Sequence, residues 1–517
     1  MSKTVFVKNA AVLTVSSIIL RFVGIIFKVW LAGRIGSEGV GLYQLVFSLF
    51  VLAGAFTQSG LPTAVTRLVA GETALGSRDG VGKIMSLTFR INLILSAVTA
   101  VVLFFGADLL GSLIIADSRA VLSIRIISVA VFFMGVSSVI RGYFIARRKA
   151  APGAFSQLLE QVIRIVVILF ALRFVKSGNL AAACAAVFLG DTLAEVFSCV
   201  YLLLRYRFDI KHLKCGETAH ESEPLKKIIK ISFPLTAGRY LNSLLRTAEN
   251  MLVPRALYKY SKKGALSLFG MIKGMALPIL FFPSIILNAV STLLIPEMSE
   301  AAEKHRTSLV RSAVEEILYY AAIVGFIFSA VFAAAGYEIG MLLYKSADVG
   351  FLLTALSPIV PLMYVDSLCD GLLKGLNQQN FTFRVSVCDS AIRLVFIYPV
   401  LIRFGIGGFI GIMYFSNLLT CFLNVNRLIK ISGATLDTKK TVLIPVSTAF
   451  TATLIIKVVL TVFALPNLIY IILLTPISVL TYFILLVHFD CINLSTFGRI
   501  RTHKKYAPAK ISASLIK

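Results

Sequence analysis

Arg21 lies near the middle of an apolar segment spanning about residues 10–32, and Arg246 lies in another at 228–255. A charged side chain at the centre of a membrane-spanning helix costs about 2.5–3.5 kcal/mol on insertion scales, so such residues face a cavity or a partner. A guanidinium turned into a cavity suits phosphate, because its planar fork donates parallel hydrogen bonds to two oxygens. Lys273, in the segment 265–296, is a third cation of this kind, and Glu249 follows Arg246 by three residues. Two readings stand for each arginine. Either it faces a central cavity as an anion ligand, or it snorkels to an interface (Arg21) or pairs along its own helix (Arg246 with Glu249).

Carboxylates inside the apolar segments follow a second pattern. Glu160 and Arg164 are four residues apart, and so are Asp389 and Arg393. Acid and base at that spacing share a helix face and neutralise each other locally. They read as clamps between neighbouring helices, or as gates that open when the pairing changes. Asp191 and Glu195 are also four apart, with no basic mate in their own segment. They either partner an arginine of another helix or hold a coupling cation. Asp366 and Asp370 share a face and would suit a Mg²⁺-dependent prenyl-phosphate transferase, but they lie at the non-basic start of a segment rather than in a basic loop. There is no phosphate-cradling G-x-x-x-x-G-K-[ST] stretch, and no His or Cys has metal-site spacing. The expectation is a protein that is not an enzyme, carries no cofactor, and draws on the membrane potential or a Na⁺/H⁺ gradient.

These residues must be positioned by membrane-spanning helices. The 517-residue chain is 58% hydrophobic and 15% charged, against roughly 25% charged in soluble domains. With about 20 apolar residues per span as the ruler, fourteen segments follow, from 10–32 to 467–489. The net charge of +26 then reads as the positive-inside bias of cytoplasmic loops rather than as a nucleic-acid footprint. Alternate connections are basic, which puts both termini in the cytoplasm. One connection departs from this alternation: Arg255, Lys259, Lys262 and Lys263 would face outward, as an interface anchor or as a patch for an anionic head group.

The chain also repeats. At an offset of 229, Gly142 meets Gly371, Glu160 meets Asp389 and Arg164 meets Arg393; a shift of 225 places Arg21 on Arg246. Each copy holds an even number of spans, so the copies are expected to be parallel, about an axis along the membrane normal. The expected organisation is an N-terminal lobe at 1–205, a cytoplasmic linker at 206–227, a C-terminal lobe at 228–431, an appended helix pair at 432–490 and a basic tail at 491–517. Glycine and proline interrupt matched segments, two (Gly54, Gly60, Pro62) and eight (Gly270, Gly274, Pro278, Pro283). Broken helices at corresponding places point to a transport site or its hinge.

Four stretches carry a family resemblance: Arg21 to Leu45, with its glycine-rich turn at 35–44; Thr57 to Ala70; Arg141 to Ile165; and Asn250 to Leu257. With six-plus-six-plus-two spans, they resemble the multidrug/oligosaccharidyl-lipid/polysaccharide exporter superfamily, and within it the stage V sporulation protein B group of polysaccharide exporters. The resemblance implies an all-α, MATE-like integral membrane fold in a bacterial cytoplasmic membrane. It implies alternating-access export of a lipid-linked, anionic saccharide such as a peptidoglycan precursor, for spore cortex or cell wall. It also implies contact with membrane lipids and with cell-wall synthases, no nucleic-acid partner, and Arg21 as a cavity arginine. Arg246 and Lys273 join it through the repeat and the topology, and Glu249 as the acid three residues after Arg246. A drug/cation antiporter of the same fold is the alternative; it would use Asp191, Glu195 and Glu249.

Overall fold

The computed structural model describes residues 3–58, 60–176, 178–212, 223–262, 264–463, 465–489 and 491. Residues 213–222 of the expected linker, Lys263 and the tail from 492 lie outside the described residues. What is described is all-α: α1 (Lys3–Gln58), α2 (Leu61–Ala74), α3 (Arg78–Phe105), α4 (Val121–Ala146), α5 (Ala150–Ala171), α6 (Leu180–Lys211), α7 (Pro224–Tyr260), α8 (Ala265–Phe281), α9 (Ser284–Glu303), α10 (Thr307–Tyr344), α11 (Ala347–Gly375), α12 (Gln379–Ser432), α13 (Lys439–Thr461) and α14 (Asn467–His488). Among the described residues, ten helices are long and apolar enough to cross a membrane. Large apolar side chains such as Phe105 and Val462 are about four-fifths exposed, as a hydrocarbon solvent allows and water does not.

Two of those helices are too long to be single spans. α1 has 56 residues and α12 has 54, each about 80 Å at 1.5 Å per residue, against a hydrocarbon core of about 30 Å. Each is divided at a glycine with positive φ, Gly36 (φ 72°) and Gly405 (φ 54°). A Cβ at Gly405 would also lie 2.5 Å from the Tyr260 ring, so backbone and space both require glycine there. The expected count of fourteen spans needs these two divisions, plus the polar α7 and the proline-broken α8–α9 pair as spans.

The breaks expected in segments two and eight are present. α1 stops at Gln58 and the chain re-enters helix at Leu61, with Pro62 in the first turn. Inside α8, residues Met271–Ala276 widen into a π-turn that carries Lys273, and the helix ends before Pro283.

Small residues set how closely the two halves approach. Ser37 Oγ and Ser267 Oγ are hydrogen-bonded at 2.6 Å. A Cβ at Gly41 would lie 2.2 Å from the Leu266 carbonyl, one at Gly270 2.0 Å from the Ser37 carbonyl, and one at Gly60 2.1 Å from the Ser232 carbonyl. Ser37 and Ser267, like Gly41 and Gly270, stand about one repeat apart in sequence, so residues at matching repeat positions meet across the seam. The pair α13–α14 docks on α10, where Lys457 Nζ donates to the Ala334 carbonyl (2.6 Å) and the Tyr482 hydroxyl donates to the Ile323 carbonyl (3.3 Å).

Gly270→Val should therefore lower stability by about 1–3 kcal/mol through overpacking. Gly71→Ala, in open space within α2, should raise it by about 0.5–1 kcal/mol. Thermal unfolding in one detergent, with both variants beside wild type, checks the opposite signs.

Candidate functional site

In the N-terminal half the in-membrane charges form one chain of contacts across three helices. Arg164, on α5, donates from Nε to Asp191 Oδ1 on α6 (2.5 Å), from Nη2 to Glu160 Oε1 (2.8 Å) and from Nη1 to Gln161 Oε1 (2.8 Å). Arg141, on α4, donates to Glu160 Oε2 (3.0 Å) and to Ser198 Oγ on α6 (3.2 Å). Two arginines and two carboxylates thus fasten α4, α5 and α6 together. Glu195 is 6% exposed beside this chain, and its Oε2 has no hydrogen-bond partner.

The C-terminal half holds a second, different network. Glu249 on α7, 3% exposed, accepts from Lys273 Nζ (3.0 Å) and from Arg393 Nη1 on α12 (3.2 Å). Arg393 Nη2 also donates to Asp389 Oδ2 (2.8 Å), and Asp389 Oδ1 accepts from the Ser416 hydroxyl at 2.5 Å. The i,i+4 pairs expected at 160/164 and 389/393 are therefore both formed, and each extends to a neighbouring helix. Asp191 has an arginine of another helix as its partner. Asp366 accepts from the Asn424 side-chain amide (2.8 Å), and Asp370 is paired with Lys374 (2.5 Å). Among the described residues no group of three or more His, Cys, Asp or Glu side chains could hold a metal ion.

The four residues expected to meet a substrate fall into two kinds. Lys273 and Glu249 are bonded to each other. Arg21 and Arg246 are exposed and, among the described residues, make no hydrogen bond or ion pair. Both flank the seam between the halves. Phe22, next to Arg21, packs edge-on against Phe282 (centroids 5.0 Å apart), and Thr247, next to Arg246, donates to the Ser48 carbonyl at 3.1 Å.

Two cations, Arg141 and Lys28, are not singled out by the sequence pattern. Arg141 has an acid, Asp370, at its repeat position, so no matched pair marked it. Lys28 is exposed on α1, seven residues after Arg21 and so on the same helix face, within the fields of Asp191 and Arg164. That seven-residue spacing was the available signal.

Residues 6–302, more than half of the chain, match the family described as polysaccharide biosynthesis protein. The chain belongs to that family. Stage V sporulation protein B of Bacillus subtilis (strain 168) is 26% identical over 413 residues, covering 79% of this chain and 80% of that one. Lipid II flippase MurJ of the same organism is 23% identical over 172 residues, 32% of each chain. Among solved structures, lipid II flippase MurJ in an inward closed conformation superposes with a TM-score of 0.69 at 14% identity, over 94% of this chain and 99% of that one. An inward-facing multidrug-resistance MATE transporter gives 0.63 at 14% identity, over 80% and 94%. The fold is that of these transporters, and the resemblance to their superfamily read from the sequence is borne out. The protein is a multi-pass membrane protein of that superfamily.

Removing one partner of a buried ion network strands the other, at about 3–5 kcal/mol. Arg164→Ala and Arg393→Ala should each be destabilising on that scale, whereas Arg21→Ala and Arg246→Ala should leave stability near wild type. Chemical denaturation of the four purified variants distinguishes the two groups.

Proposed function

We propose that this protein is a flippase for a lipid-linked, pyrophosphate-bearing saccharide, such as a peptidoglycan precursor, moving it across the bacterial cytoplasmic membrane for cell-wall or spore-cortex synthesis. The carrying observation is that Arg21 and Arg246 stand exposed at the seam and, among the described residues, unpaired, in a protein that pairs Arg141, Arg164, Lys273 and Arg393 with carboxylates inside its helices. A pyrophosphate offers each guanidinium an acceptor pair by charge-assisted hydrogen bonds. Lys28 lies about two turns along the same helix face as Arg21 and extends the cationic track. The polyprenyl tail would remain in lipid while the sugar passes between the lobes, and rocking of the lobes would alternate access.

Energy for resetting follows from the same charges. A cation moved across the potential gains about 2.3 kcal/mol per 100 mV, so an empty cationic cavity is driven by the potential without a bound ion. The antiporter alternative needs acids free to take a cation. Asp191 and Glu249 are bonded to arginine or lysine, which leaves that alternative Glu195 alone and favours the anionic substrate. Positive-inside loops support cytoplasmic termini, where synthases supplying the substrate would be met.

Native mass spectrometry of the purified protein with a polyprenyl-pyrophosphate saccharide should show a bound adduct in wild type. Arg21→Ala/Arg246→Ala should lose most of it, by about tenfold or more for two charge-assisted contacts. Equal adducts in both proteins would remove the arginines from substrate binding.

A further inference from the structure

By sequence alone Arg255 has two outward roles, lipid anchor or anion patch. The structure gives its guanidinium another partner. Arg255, near the end of α7, donates from Nη2 to the backbone carbonyls of Leu113 and of Ile114, the latter at 2.6 Å. Those carbonyls belong to the turn between α3 and α4, in the opposite half of the chain. They close the π-helix Leu110–Ile115, which ends where Ala116 takes left-handed backbone (φ 61°). Carbonyls in the last turn of a helix lack intrahelical donors and carry the negative end of its dipole. A guanidinium is their natural complement.

The receiving turn is itself braced. Asp117 accepts from Arg119 through both carboxylate oxygens (3.0 Å from Nε and 2.7 Å from Nη2), and Arg119 Nη2 reaches on to Glu38 Oε1 at 2.9 Å, in the turn after Gly36. Two acid–base contacts thus hold the α3–α4 turn together, and one ties it to the start of the second span. Beside it lie the Ser37–Ser267 hydrogen bond and the glycine contacts at Gly41 and Gly270. These interactions cluster at the end of the bundle that loop charge assigns to the outside. Pro254, immediately before Arg255, removes a helical hydrogen bond from α7 and gives that helix a place to bend.

We propose that Arg255 is a bolt between the two halves at the outer face: its hydrogen bonds to the Leu113 and Ile114 carbonyls hold that face closed and must break before the halves part there. The inference rests on the alternating-access reading and makes no use of the substrate. Loss of the side chain leaves the glycine and serine contacts in place but removes the charge-assisted bonds that cross from α7.

The test uses the full chain in lipid nanodiscs without substrate, with spin labels carried on unnatural amino acids at the exposed positions 109 and 351, so that the native cysteines stay. Pulsed electron resonance then reads the distance between the outer ends of the two halves. Arg255→Ala should raise the ratio of the long-distance to the short-distance population by about tenfold or more. Arg255→Lys keeps the charge but has a shorter, single-headed reach, and should fall between Ala and wild type. A wild-type distribution in Arg255→Ala would overturn the proposal. So would a shifted Ala variant with a fully wild-type Lys variant, since interfacial charge alone would then account for the effect. Because no substrate is present, failure here is distinct from failure of the substrate assignment, which the adduct measurement reads.

Discussion

Charge inside hydrocarbon must be cancelled or used, and this constraint orders the rest of the protein. Each half cancels its charge with its own network: Arg141–Glu160–Arg164–Asp191 in one, Lys273–Glu249–Arg393–Asp389 in the other. Because each network crosses helices, it also fixes which helices move together. α4, α5 and α6 are joined by one, and α7, α8 and α12 by the other. The halves are tied internally by ions and to each other mostly by small residues and ring contacts. Such a distribution favours rigid units that pivot over units that deform.

The seam has the opposite chemistry. Backbone meets backbone at Gly41, Gly60 and Gly270, where any side chain would intrude. Close packing of this kind is specific in geometry, and buried apolar side chains of both halves, such as Leu42 and Val253, belong to one core that continues across it. The unpaired Arg21 and Arg246 stand beside it, where a ligand between the halves would touch both. A lysine tied to Glu249 and an arginine free beside it are neighbours on the same half. The difference between them, not the presence of positive charge as such, separates a structural cation from one available to a substrate.

Much of this was legible in the residue order. The repeat of acid and arginine at 160/164 and 389/393 marks one ion pair in each network, because acid and base four apart share a helix face. Glycine and proline in segments two and eight identified the helix breaks. What the order could not carry was contact between helices. Lys273 reads like the arginines because all three are cations in spans; only the contact between α7 and α8 shows that it belongs to Glu249. Arg141 went unnoticed because its partner lies on the next helix. Arg255 looked like a surface charge because its acceptors are backbone carbonyls, which no side-chain pattern reveals.

The central claim is that the two free arginines carry the head group of a lipid-linked pyrophosphate across the membrane. Its most direct test is transbilayer movement in proteoliposomes containing such a lipid, read by access of the head group to an impermeant reagent. Wild type and an Arg255→Lys control should both translocate the lipid, and the Arg21→Ala/Arg246→Ala protein, equally folded and equally incorporated, should fall close to protein-free vesicles. Undiminished movement by the double variant would contradict the account.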